Sequence, residues 1–172
     1  MKVNPKKVSA GVLVWRRASA VDGLEVLIVH PGGPFFAGKD EGAWSIPKGL
    51  VFDDPGAVVV DIDDERLRET AIRELEEETG LVPETPMVSL GAITQKGGKV
   101  VHAFAMEADQ ELRPHRPPQV RIEWPPGSMR ELAFDEVDEV RFVDLATARV
   151  KLNPAQVELL DRLVGVVDAP SA

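Results

Sequence analysis

The 172-residue chain contains no cysteine and no tyrosine, and only 5% of it is aromatic. Without thiols there is no disulfide, no thiolate metal site and no cysteine nucleophile. Histidine is scarce too: His30, His102 and His115 are scattered, so a zinc site built on imidazoles alone is not expected. No apolar run approaches the ~20 residues that cross a bilayer. The charged stretch Met1 to Lys7 is not followed by the apolar core of a signal peptide. The expectation is a cytoplasmic protein. Positive charge is also short: 20 Lys+Arg stand against 29 Asp+Glu, a net charge of −9. That balance argues against salt-driven binding to nucleic acid or to an anionic membrane surface. It leaves the excess acid to be explained.

What remains is globular in character. Hydrophobic residues make up 44% and charged residues 28%, too apolar for a disordered chain. The length suits one domain, expected over residues 1–164, with 165–172 as a disordered tail. Strands are predicted at Val8 to Trp15, Leu24 to His30, Met87 to Thr94, Lys99 to Met106, Gln119 to Trp124 and Val140 to Val143. Pro31 to Gly42 is dense in glycine and proline and reads as a loop, as does the polar stretch Pro125 to Asp138. Asp63 or Asp64 can cap a helix over Glu65 to Thr79, where Leu67, Ala71 and Leu75 recur on one face. Gly80 suits the position that ends it. Asn153-Pro154 starts a last helix running to about Leu163. Strands, helix, strands, helix imply an α/β fold, a sandwich around a mixed sheet.

The central helix carries Arg73-Glu74-Leu75-Glu76-Glu77-Glu78-Thr79-Gly80-Leu81. At ~100° per residue, Glu74, Glu77 and Glu78 fall within about a 100° arc, and Glu76 points away. Such a run taken alone is more often a solvated helix face. Clustered carboxylates repel, however, and a hard divalent cation, Mg²⁺ or Mn²⁺, is the partner that would relieve them.

Glu65, seven residues, and then Arg73 to Leu81 resemble the Nudix box, G-x5-E-x7-R-E-U-x-E-E-x-G-U, in every fixed position from Glu65 onward. The box therefore spans residues 65–81. The wider chain resembles Nudix (MutT-like) hydrolases over most of its length. HPGGPFFAGKDEGAWSIPKG and LNPAQVELLDRL look like a bacterial subgroup of NTP pyrophosphohydrolases. There is one departure. Where the box has a glycine six residues before its first glutamate, this chain has Val59, and the equivalent is Gly49. Residues 50–64 then read as a loop lengthened by ten residues, which closure entropy tolerates. The lengthened loop adds Asp53, Asp54, Asp61, Asp63 and Asp64, read mainly as solvated.

The resemblance implies the Nudix fold, an α/β/α sandwich around a mixed β-sheet. It implies hydrolysis of a nucleoside diphosphate linked to another group by water attack on phosphorus, with Mg²⁺ or Mn²⁺. Glu77 and Glu78 would be the principal metal ligands, and Glu74 a further ligand or the base acting on the attacking water. Arg73 would orient Glu74, Glu65 would support the set, and a backbone carbonyl near Lys48 or Gly49 would complete the shell. A general base could also stand far downstream; Glu136 is the first choice, with Glu131 and Glu139 as rivals.

For the substrate, Phe35, Phe36 and Trp44 read either as a base-stacking patch or as plain core. Lys39, Lys48, Lys96 and Lys99 read either as phosphate-binding point charges or as solvated lysines. His102 is structural or pocket-lining, and His30 a satisfied loop histidine. Pro47-Lys48-Gly49 is similar to the Nudix branch acting on dinucleoside polyphosphates and diphosphoinositol polyphosphates. The first reading is a pyrophosphohydrolase of NTPs or dinucleoside polyphosphates. Inositol pyrophosphates are an alternative substrate. A nucleotide-binding Nudix domain without catalysis, or a metal-free interaction protein with an acidic helix, are alternative functions. A homodimer is left open by the resemblance.

Overall fold

The computed structural model describes residues 2–3, 7–18, 23–52 and 60–169. Asp53 and Asp54 of the lengthened loop, Val59 and the last three residues lie outside them. Among the described residues the strands, in chain order, are β1 (Lys2–Val3), β2 (Val8–Arg17), β3 (Leu24–Pro31), β4 (Lys48–Leu50), β5 (Val60–Asp61), β6 (Val88–Thr94), β7 (Val100–Glu107), β8 (Gln119–Glu123), β9 (Glu131–Asp135) and β10 (Val137–Asp144). The helices are α1 (Asp64–Thr79), α2 (Leu145–Lys151) and α3 (Val157–Val167), the last entered through a short 3-10 turn at Pro154–Gln156.

A six-stranded sheet has the order β10-β3-β2-β7-β6, with β4 pairing β2 off this path. β2 and β7 are parallel and the other pairs antiparallel, so the sheet is mixed. β2 is apolar at successive positions because both its faces are covered. Val12 and Val14 join Leu27, Phe104 and Met106 under Leu67, Ala71 and Leu75 of α1. Leu13 joins Ile28, Ala103 and Ala105 under Ala148 of α2 and Leu159, Leu160 and Leu163 of α3. This is the expected α/β/α sandwich.

β2 forks the sheet. Its C-terminal end pairs with β3 at Trp15↔Val26 to Arg17↔Leu24, while its N-terminal end pairs with β4 at Ser9↔Leu50 to Gly11↔Lys48. β4 thus fills the edge of β2 that β3 has left, and it lies against α1.

Helix α1 begins where the caps predict. The Asp63 side chain accepts from the Arg66 N–H, and Gly80 ends the helix in the left-handed region at φ 76°. Asp64 pairs with Arg68 one turn on. Two of the aspartates read as solvated are therefore engaged in building the helix start.

Three expectations are corrected, and one helix is added. The stretch 125–138 is not all loop, because Glu131–Asp135 forms β9 and pairs with β8 in a separate two-stranded sheet. The strand expected at Val140 to Val143 extends back to Val137. Helix α2 follows it at once, capped by the Asp144 side chain accepting from the Thr147 N–H. The last helix continues past Gly165 to Val167 instead of fraying there.

Candidate active site

Gly49 and Glu74 define the centre of the site. A Cβ on Gly49 would overlap the Glu74 carboxylate, so only glycine lets β4 lie against this face of α1. The neighbouring backbone is used as well: the Lys48 N–H donates to Glu78 Oε2 at 3.3 Å. Arg73 Nη2 donates to Glu74 Oε1 at 3.0 Å and to the Leu50 carbonyl at 3.2 Å, while its Nε stands 3.9 Å from Glu77 Oε1. Arg73 thus ties two carboxylates of the helix to the end of β4.

Glu74 and Glu78 are buried, and Glu76 and Glu77 are exposed. Burial raises the pKa of Glu74; Arg73 opposes the rise, while Glu77 and Glu136 add to it. Burial raises that of Glu78 well above the usual carboxylate range, and the charges of Glu136 and Glu74 push it further. Burial lowers the pKa of half-buried Lys48; the Glu78 carboxylate works against this, Lys99 works with it, and Glu74 and Glu136 work against it. Glu74, Glu78, Glu136, Lys48 and Lys99 are therefore within one electrostatic neighbourhood.

Glu136 sits in the one-residue step between β9 and β10. Its N–H donates to the Pro118 carbonyl and its own carbonyl accepts from the Gly32 N–H. The rivals are engaged elsewhere: Glu131 pairs with Arg121, and Glu139 with Arg141.

Other expected residues are not brought together. Glu65 is exposed in the first turn of α1, nine residues before Glu74. That spacing puts it about 180° round the helix and about 13 Å along it from Glu74. Lys96 is exposed in the Gln95–Gly98 turn. Lys39 stands 6.0 Å from the Phe36 ring and lines a different cavity of about 600 Å³ with His30, Trp44 and Lys151.

Trp44 corrects the aromatic-patch reading. It is 2% exposed and belongs to the core under α2 and α3, its Nε1–H donating to Asp40 at 2.8 Å. Arg141 and Lys151 lie over its ring, so no base can stack there. Phe35 is exposed and meets Trp124 edge to face at 5.1 Å, and Phe36 is half-buried. Both nitrogens of His30 are engaged, by Asp138 and by the Lys39 carbonyl.

Two residues that the sequence did not flag hold the segment bearing Lys48 and Gly49. Gly11 has room for no Cβ, because Pro47 and Lys48 cross directly over it. A lone glycine in a strand is the signal for such an approach. Gln156 is fully buried; its Oε1 accepts from the Ile46 N–H at 2.9 Å, and its Nε2 donates to Ser45 Oγ and Gln95 Oε1. No periodicity marks it.

The donor set fits a hard divalent cation: several carboxylate oxygens, two of them buried and mutually repelling, and no soft ligand. Among the described residues, no three such groups already stand in ligating geometry. Glu74 is turned to Arg73 and Glu78 to the Lys48 backbone. No described helix is long and apolar enough to cross a membrane.

A family model described as NUDIX domain matches residues 5–163. No curated protein sequence matches the chain significantly. Among solved structures, the chain is similar to a C. elegans Ap4A hydrolase binary complex, at 17% identity and a TM-score of 0.58 over 92% of this chain and 97% of that one. It is similar to the NUDIX domain of Shewanella oneidensis NrtR complexed with ADP ribose, at 18% identity and a TM-score of 0.59 over 96% and 94%. A mutT/nudix family protein from Listeria innocua gives 15% identity and a TM-score of 0.56 over 96% of each chain. At such identities the likeness is one of fold.

Proposed function

The chain belongs to the Nudix family, a hydrolase of phosphoric anhydrides, and from that premise we propose that it is a divalent-metal-dependent pyrophosphohydrolase of nucleoside polyphosphates. The substrate is an NTP or a dinucleoside polyphosphate, and residues 1–164 form the single catalytic domain. One observation carries the reading: Gly49 and the Lys48 backbone meet the buried carboxylates Glu74 and Glu78, and Glu136 is electrostatically coupled to the same pair.

Glu74, Glu77 and Glu78 would hold Mg²⁺ or Mn²⁺, with the Gly49 carbonyl as a further oxygen. When bound, the ion neutralises the polyphosphate and the departing phosphate. The chain's own residues do the rest. Arg73 fixes the Glu74 carboxylate by a charge-assisted hydrogen bond. Lys48 and Lys99 offer positive charge to phosphate oxygens beside the acidic helix. Glu136 takes the proton of the attacking water; the water oxygen joins phosphorus, and the bridging P–O bond breaks toward the departing phosphate. Phe35 offers an exposed ring on which a base can stack.

A second reading, nucleotide binding without turnover, is favoured by the engagement of Glu74 and Glu78 with Arg73 and Lys48. One assay separates the two: purified protein with Mg²⁺ against NTPs, dinucleoside polyphosphates, nucleotide sugars and inositol pyrophosphates. Turnover of a nucleoside polyphosphate supports the first reading. Turnover of inositol pyrophosphates alone replaces the substrate class, and calorimetric binding without turnover leaves the second reading.

A further inference from the structure

Between β7 and β8 the chain crosses the C-terminal end of α1 as an irregular strap, residues 108–118. Hydrogen bonds pin it along its length, beginning with the Ala108 N–H donating to the Trp15 carbonyl at 3.0 Å. Gln110 Nε2 donates to the Val82 carbonyl at 3.0 Å. His115 Nε2 donates to the Glu77 carbonyl at 2.6 Å, so this nitrogen carries the proton. The Pro118 carbonyl accepts from the Glu136 N–H at 2.9 Å. The strap therefore runs from one residue of the site to another. It also presses on the helix end: a Cβ on Gly80 would lie 2.9 Å from His115 Nδ1.

The second half of the strap is basic, reading Arg113-Pro114-His115-Arg116-Pro117-Pro118, after Asp109 and Glu111 in its first half. Its three prolines fix φ and stiffen the backbone on both sides of Arg116. Arg116 lines an open cavity of about 490 Å³ beside α1, together with Arg73, Glu76, Glu77 and His115. The two arginines differ in availability. Arg73 is committed to Glu74 and the Leu50 carbonyl. Arg116 makes no hydrogen bond or ion pair with any described residue. It is a guanidinium with its donor fork unused, held next to an exposed carboxylate of the candidate metal set.

We propose that Arg116 is a substrate-binding residue that grips a phosphate of the polyphosphate chain beyond the one attacked. This rests on the function proposed above. The physical need is clear from the charges. A cation over Glu74, Glu77 and Glu78 neutralises only the phosphates in contact with it. A longer chain leaving the carboxylates passes the edge of α1, where a planar guanidinium pairs with phosphate oxygens in a bidentate manner. The recognised chemistry is a run of phosphoanhydride-linked phosphates, which makes Arg116 a reader of chain length.

The test compares wild type, Arg116→Ala and Arg116→Lys. Steady-state hydrolysis is measured with Mg²⁺ on dinucleoside substrates of three, four and five phosphates, and inorganic tripolyphosphate binding is measured by calorimetry at the same Mg²⁺ concentration. Arg116→Ala is expected to raise KM about tenfold, the scale of one lost charge-assisted contact. The rise grows with chain length, and kcat stays within about twofold, since the contact is made equally before and during reaction. Tripolyphosphate affinity falls in parallel, melting temperature is unchanged, and Arg116→Lys lies between. Unchanged KM and unchanged tripolyphosphate affinity in the alanine variant of an active enzyme would overturn the assignment while leaving the proposed function intact. A fall in melting temperature that accounts for the loss would also overturn it. A wild type that hydrolyses nothing defeats the function instead, and tripolyphosphate binding then still decides whether Arg116 is used.

Discussion

Gly49 is packed so closely on Glu74 that a single methyl group at position 49 would occupy the space of the carboxylate. Alanine there must displace either β4 or the Glu74 side chain. Gly49→Ala is expected to lower kcat about a hundredfold or more, because displacement of a catalytic group by even an ångström costs on that order. Overplacking of this kind destabilises by about 1–3 kcal/mol, so the variant still folds. Circular dichroism and steady-state kinetics read the two effects separately.

The helix carboxylates divide by position. Glu77→Gln and Glu78→Gln are each expected to reduce kcat about a hundredfold or more, the scale of losing one electrostatic contact to the transition state. Glu76→Gln, exposed and outside the proposed metal set, is expected to leave kcat unchanged. Glu78→Gln carries a second signature: it removes a buried charge that Glu74 and Glu136 repel. Without added metal, its melting temperature should exceed that of wild type by about 2–4 °C for each kcal/mol relieved.

Metal should stabilise the folded chain, since a ligand that binds only the native state shifts unfolding by mass action. At about a hundred times Kd the gain is about 2.7 kcal/mol, or roughly 5–10 °C in a domain of this size. Melting with Mg²⁺, Mn²⁺ or matched NaCl at constant ionic strength measures it. Equal curves would restore the metal-free interaction reading.

His102 supplies the pH dependence. It lies on β7, its buried Nε2 has no hydrogen-bond partner among the described residues, and burial lowers its pKa from the ordinary 6.5, with Asp64 opposing. The unfolded chain therefore takes up a proton at a pH where the native state still refuses it. Stability is fully retained above about pH 6.5 and falls with acidification until the native ring is also protonated. His102→Gln cannot titrate and should lose less stability between about pH 7 and pH 5. Denaturant unfolding at both pH values gives the comparison.

The parts of the site that the sequence displayed are those governed by short-range rules. Helix α1 was legible because Leu67, Ala71 and Leu75 repeat at helical spacing between an aspartate cap and Gly80. The separation of Glu76 from Glu74 and Glu78 followed from the same geometry. β9 was obscured by Pro125-Pro126-Gly127, although Leu132 and Phe134 alternate with polar neighbours as a strand requires. α2 is only seven residues long, too short for its periodicity to stand out. The role of Gln156, the committed state of Arg73 and the choice of Glu136 over Glu131 and Glu139 depend on contacts between residues distant in sequence. Trp44 shows the same limit: one aromatic beside a glycine-rich loop has no local feature that tells core from rim.

The forked edge of β2 has a consequence for how such a protein can change. β4 pairs with β2 and ends at Leu50, the Val51 N–H still donates to the Val8 carbonyl, and the chain returns to regular structure at β5, which pairs with β1 apart from the six-stranded sheet. The connection from Leu50 to Asp63 thus joins a strand at the candidate site to the helix that carries its carboxylates. Variation in the length of this connection is therefore adjacent to the proposed chemistry. Selection could trim, extend or recharge this stretch to suit a new leaving group.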